Sequence, residues 1–229
     1  MTDETGTTRW LFADQLGPHF DDGGPLLLIE ARSVFERRTY HRQKAHLILS
    51  ALHHRAAEDP ERVTFVRSQT YAEGVATHRD SSDRDLDAIA ATSRPARRLV
   101  ERLGLSTIHP ERGWFTTPGE FQAWVTGRGD KRLLMEDWYR GVRSRHAVLM
   151  ADGKPEGGKW NFDHDNRLPP PKGETHLPVP MPWQPVEDDI DAQVRQQLDE
   201  WEAQGIRFLG QDGPRRFAVT RSEIGRAHV

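Results

Sequence analysis

Cysteine is absent from the 229 residues, so the chain forms no disulfide of its own and offers no thiolate to a metal cluster. Long apolar runs are absent too. No stretch reaches the length a helix needs to cross a bilayer, and the polar start from Met1 to Thr8 lacks the apolar core of a secretory signal. A soluble, cytoplasmic protein with no membrane partner is therefore expected. A strong excess of one charge is missing as well: the formal net charge is −3, so only a local basic patch could attract a polyanion. Finally, Asp14-Gln15-Leu16-Gly17-Pro18 carries one glycine and a proline where a glycine-rich phosphate fingerprint would stand, which makes a standard dinucleotide site a poor reading.

What remains is a globular composition. Hydrophobic residues make up 35% and charged residues 29%, and seven Trp with nine Phe suffice for one sizeable core, alone or with a small appendage. Residues 10–13 read as a short buried strand with Asp14 at its carboxyl end. Leu26 to Ile29 is a continuous apolar run, which suits a strand covered on both faces, and Glu30 follows it. If the two strands are parallel neighbours, both carboxylates reach the edge where open α/β sheets collect ligands. There they can accept hydrogen bonds from ring N–H groups and ribityl hydroxyls of an aromatic chromophore. Such a pair also occurs in unrelated folds, and Asp14 reads equally as a loop or helix cap.

From His41 to Ala57 the period becomes helical, with Ala45, Leu49, Leu52 and Ala56 in one stripe. His41, Arg42, Lys44, His46, His53 and Arg55 coat the other positions, as a solvated face or as a basic surface toward an anion or ribityl chain. The spacing of His53 and His54 does not match a zinc site, and no metal is expected. Val63 to Val66 forms a third strand, Leu86 to Ala91 a poor one, and Leu105 to His109 another. Polar residues 77–87 read as a mobile stretch. A helix starts at Thr92-Ser93-Arg94-Pro95, and Thr117 with Glu120 forms a capping box around Pro118.

Lys131 to Met150 reads as one long helix, rich in Arg128, Lys131, Arg132, Arg140, Arg143 and Arg145; its basic side is either a solvated or salt-bridged face or a phosphate contact. Asp152-Gly153 marks a turn. Residues 157–167, which include Trp160 and Phe162, form a specifically folded loop, pinned by its aromatics or contacting a ligand through Lys159, Asn161, Asp163 or Asn166. The tract from Pro169 through Pro178, Pro180, Pro182 and Pro185 is an extended connector. Asp188 and Asp189 open a helix with Ile190, Val194, Leu198 and Trp201 on one stripe. Little chain follows it, so its apolar face is expected to stand exposed for a missing neighbour.

That loop, the segment from Lys131 to Tyr139, the early Asp14-Gln15-Leu16 and the helix from His41 to Ala51 together resemble the deoxyribodipyrimidine photolyase-related family, the bacterial iron–sulfur branch of cryptochromes and photolyases. The resemblance runs from about Arg9 to Glu223. It implies a mostly parallel, Rossmann-like α/β antenna domain over residues 1–130, then a helix, loop and proline-rich connector over 131–187. Residues 188–223 would be a helix and the entry to a helical domain.

In the family the first domain accommodates a lumazine-type antenna, for which Asp14 and Glu30 are the matching positions. The later helical domain binds FAD and holds a 4Fe–4S cluster on four cysteines. Light-driven electron transfer from reduced flavin to a pyrimidine lesion in damaged DNA is the implied reaction of an intact member. Two departures stand out: Ser33 and Val34 occupy the place of a further acidic residue, and Ala91 replaces a proline. Residues 224–229 resemble a translated sequencing adapter and are expected to be a non-native tail. A fragment without flavin or cluster is thus the leading reading. A stand-alone nucleotide or lumazine binder and an interaction module using the helix from Asp188 to Trp201 are the alternatives.

Overall fold

The computed structural model describes residues 6–164, 167, 169, 171–173 and 183–224. Two compact units are present, Met1–Arg112 with Met181–Val229 and, separately, Gly113–Pro180. In the first, short apolar runs closed by polar turns become strands and the segments between them helices. The order is β1 (Thr7–Leu11), β2 (Leu26–Ala31), α1 (Ser33–Glu36), β3 (Tyr40–His41), α2 (Arg42–Glu58), β4 (Val63–Ser68), α3 (Tyr71–Ser81), β5 (Asp85–Ile89), α4 (Arg94–Arg102) and β6 (Thr107–His109). Five strands form one parallel sheet in the order β4-β2-β1-β5-β6. The chain builds outward from β1 to β4, then crosses back to lay β5 on the other side of β1. This is the Rossmann-like order, with its topological switch between β1 and β5.

Alternate residues bury two faces. Trp10, Leu27, Ile29 and Ala88 pack with Val75 of α3 and Val100 of α4. Leu11, Leu26, Leu28 and Ile89 pack with Leu52 of α2. The run from Leu26 to Ile29 is buried on both sides, as its lack of alternation requires. The polar stretch expected to be mobile is instead ordered as the end of α3 and the start of β5. Helix α3 comes close because residue 74 is glycine: a Cβ there would lie 2.6 Å from Ile29 Cγ2 and 2.9 Å from Ser68 Oγ. Strand β5 tolerates Asp87 because Arg9 on β1 donates to it at 3.0 Å and His109 on β6 lies 2.7 Å away.

The second unit contains α5 (Pro118–Arg128), α6 (Met135–His146) and a hairpin of β7 (Met150–Ala151) and β8 (Lys154–Pro155). Thr117 and Glu120 form the reciprocal capping box. Helix α5, placed with the α/β domain on sequence, belongs to this unit. The long helix expected from Lys131 to Met150 is shorter at both ends, because Leu134 is extended and Ala147 takes a left-handed φ of 53°. Asp152 and Gly153 both have positive φ, 50° and 73°, the conformation of a tight hairpin turn.

The chain returns to the first unit with α7 (Asp189–Ala203), β9 (Phe208–Leu209) and α8 (Arg221–Ile224). Helix α7 is not an exposed docking helix, which corrects the expectation from its position late in the chain. Val194 and Leu198 are fully buried against Ala45, Leu49 and Phe35, and Trp201 stacks 5.2 Å from Phe35. Its partner lies upstream, on α2, and β9 pairs in parallel with β3. Asp188 caps α7 by accepting from the amides of Ile190 and Asp191.

Much of the polar face of α2 is likewise not solvated: Arg42, His46, His53 and Arg55 are buried, while His41 and Lys44 stay exposed. Arg42 donates to Asp212 at 3.0 Å and Glu202 at 2.9 Å, and Ser50 Oγ donates to the buried Asp191 at 2.7 Å. Arg215, also buried, donates to Asp191 at 3.0 Å and to Glu223 at 2.9 Å. His54, Asp188 and Asp191 converge with ligand-type atoms within 4.8 Å, but Arg215 already supplies positive charge at Asp191.

Burial also holds the His46 imidazole below its ordinary value of 6.5, with Arg195 adding to the effect, and it does the same to His78. A histidine depressed in the fold leaves the unfolded chain binding more protons. Its stabilisation is complete above 6.5 and is lost as pH falls from 6.5 toward the folded value. Urea unfolding between pH 8 and 5 is expected to show stability decreasing on the acid side, with a shallower decrease for His78→Leu; a flat profile would refute this.

Candidate functional site

A cavity of about 1340 Å³ opens at the carboxyl ends of the central strands, beside the switch between β1 and β5. Its floor is apolar, with Phe12 after β1, Val34 on α1, Ile48 on α2 and Leu99 on α4. Polar groups sit on its walls. Asp14 follows β1 and is exposed in the cavity, where Thr92 Oγ1 donates to its carboxylate at 3.1 Å. Tyr71, at the start of α3, has its hydroxyl pushed up to about 12, first by burial and then by Tyr40 and Asp14. It therefore stays a neutral donor near the carboxylate. An apolar floor with few convergent polar groups is the usual make-up of a small-molecule site.

Glu30 does not join Asp14. Both stand at carboxyl ends of neighbouring parallel strands, but Glu30 lies on the side chain row of Leu26 and Leu28, facing α2 and α7. There it is buried, 2.5 Å from His53 Nε2 and accepting from Gln197. A separate, shallower pocket of about 500 Å³ lies beside it, with Arg67 and Gln193 in its wall. Ser33, Val34 and Ala91, singled out from the sequence for departing from a pattern, all line the larger cavity. Tyr40, Tyr71 and the wall formed by Ala218 to Arg221 were missed. No local motif marks them; only the crossing of the chain brings them to one place.

In the second unit, the loop after β8 is pinned by one buried guanidinium and by Trp160, whose ring lies 5.5 Å from both Arg140 and Arg143, while Phe162 is exposed and does not pin it. Arg143 donates to the carbonyls of Trp160 at 2.7 Å and Val148 at 3.1 Å, and to the Tyr139 hydroxyl at 3.2 Å. Asn161 donates to Glu136 at 3.3 Å. Several cations read as a phosphate-binding face are matched locally: Arg128 by Asp137, Arg140 by Glu136 and Arg145 by Glu120. Asn166 lies outside the described residues, as do Pro178, Pro180, Pro182 and residues 225–229 of the expected tail. No helix among the described residues is long and apolar enough to cross a membrane.

A family model described as deoxyribodipyrimidine photo-lyase-related protein matches residues 9–210. The chain belongs to this family. A curated relative, the (6-4) photolyase of Agrobacterium fabrum (strain C58), is 28% identical over 242 residues, covering 95% of this chain and 46% of the relative. The photolyase-related chain thus spans about half the length of that protein. The matched span contains Asp14, Glu30, the cavity floor and the loop at Trp160, while the wall from Ala218 to Arg221 falls beyond it.

Proposed function

We propose that this chain is the antenna-binding α/β part of a light-dependent DNA repair photolyase or cryptochrome-like photoreceptor, and that the cavity at the switch point holds a lumazine-type ring. The observation that carries this reading is the coincidence, in a photolyase-related chain, of a large apolar-floored cavity with the exposed carboxylate of Asp14. The donor set fits: Asp14 would accept from a ring N–H or ribityl hydroxyl, Thr92 and Tyr71 would orient it, and Phe12, Ile48 and Leu99 would exclude water from the ring. A bound antenna supplies light absorption and energy transfer. Glu30, buried against His53 and Gln197, would support the strand end from the other side of the sheet rather than touch the ring.

The intact protein would act on damaged DNA, and reduced FAD would supply the electron for lesion splitting or rearrangement. The 229 residues contain no cysteine, so the thiolates of a 4Fe–4S cluster do not come from them. We assign flavin, cluster and lesion binding to polypeptide outside these residues.

Titration of the purified chain with 6,7-dimethyl-8-ribityllumazine, followed by ligand fluorescence, tests the cavity. Loss of one charge-assisted hydrogen bond in Asp14→Asn is expected to weaken binding by about tenfold, or roughly 1.5 kcal/mol. The melting temperature should not move, since Asp14 is exposed. Unaltered affinity would remove Asp14 from the site.

A further inference from the structure

We propose that the ligand of this cavity is an aromatic heterocycle carrying a phosphate. The proposal rests on the cavity reading above and adds to it the sign of the charge that the site is built to meet. The lining is electrostatically one-sided. Arg37 and Arg38 reach it from the segment after α1, Lys44 from the first turn of α2, and Arg98 and Arg102 from α4. None of the five forms an ion pair among the described residues. Among the described residues, the carboxylates in the lining are Asp14 and Glu58, and Glu58 is already matched by Arg221 at 3.2 Å.

The chain as a whole is slightly acidic, and the more buried guanidiniums of the same unit find carboxylates: Arg9 with Asp87, Arg42 with Asp212, Arg62 with Asp21, Arg215 with Glu223. Exposed Arg84, Arg207 and Arg216 form no ion pair among the described residues, as the five exposed cavity cations do not; what sets the cavity apart is that five such cations gather around one opening. Cations of like sign around one opening repel each other, and a bound anion reverses that term. The first residues of α3 and α4 also line the cavity, through Thr70 and Tyr71 and through Ser93 and Pro95, so two positive helix ends face the same space.

An uncharged ribityl side chain would satisfy Asp14 and the tyrosines but leave these cations unmatched. A terminal phosphate matches them, since guanidinium and phosphate form paired, charge-assisted hydrogen bonds. The ring then occupies the apolar floor and the phosphate the arginine-lined mouth.

Riboflavin and flavin mononucleotide share ring and ribityl chain and differ only by the phosphate, so they isolate this feature. Quenching of flavin fluorescence by the full chain is expected to show the mononucleotide binding about tenfold more tightly at low salt. The difference should shrink sharply at about 1 M salt, where the screening length is about 3 Å. In the Arg98→Ala/Arg102→Ala variant the mononucleotide should lose most of its advantage. A gap that persists in this variant overturns the assignment to α4. Equal binding of the two flavins overturns the phosphate inference while leaving the cavity reading intact. Failure of both flavins and of the ribityllumazine to bind overturns the cavity reading itself.

Discussion

Replacing Arg215 with alanine is expected to destabilise the first unit by about 3–5 kcal/mol, which corresponds to a melting temperature lower by roughly 10 °C. Arg215 is 3% exposed and its guanidinium donates to four residues: Asp191 on α7, Glu223 on α8, and the backbone carbonyls of Val186 and Phe217. Asp191 is fully buried, so truncating the arginine leaves a carboxylate without its cation in a place water does not reach. The cost comes from the uncompensated charge and not from the worth of the pair. A variant that also removes the acid, Arg215→Met with Asp191→Leu, should therefore recover most of the loss. Chemical denaturation checks both arms. A single variant within about 1 kcal/mol of the parent would show that water or a neighbouring cation takes over, and would sink the argument.

Trp201→Ala is expected to cost about 3–5 kcal/mol, and Leu198→Ala about 2–5 kcal/mol, read from the same unfolding transition. Both side chains are buried on α2 and α1: Trp201 lies 5.2 Å from the ring of Phe35 and beneath the Arg32 guanidinium at 5.9 Å. Removing either leaves a void beside Ala45 and Leu49, which are themselves fully buried and cannot readily collapse into it. The two readings of α7 separate cleanly here. A helix waiting for an external partner would lose association and keep its stability. A helix that closes the core does the reverse, and unchanged stability in both variants would restore the docking reading.

Much of the sheet was legible because its signals are local. The run from Leu26 to Ile29 names a strand buried on both faces, and the Thr117 and Glu120 box and the Asp188 cap name helix starts through side chains a turn away. Helix α3 was not legible. Its polar sequence buries little beyond Gly74, Val75 and His78, and the reason for a glycine mid-helix lies on β2 and β4.

The buried part of the polar face of α2 was misread for a related reason. Arg42 and His54 are buried only because Asp212, Glu202 and Asp188 meet them from more than 130 residues away. In the candidate site, Asp14 could be found as a strand-end carboxylate. The cations around it could not, since arginines are common on helices and only the crossover brings Arg37 and Arg98 to one cavity. Glu30 shows the converse: its position after a strand suggested a ligand contact, while its side of the pleat directs it to His53.

The division of the first unit across the chain bears on how the protein is made. Residues 113–180 intervene between the sheet and α7, so a ribosome delivers β1 to β6 well before the helix that covers α2. At roughly 5–20 residues per second, that interval lasts on the order of several seconds. Throughout it, the residues of α7 that bury Phe35, Ala45 and Leu49 in the finished fold have not yet been made. Such a half-built body is a natural client for a chaperone that recognises apolar surface. The parallel pairing of β9 with β3 likewise depends on a segment that is synthesised after α7.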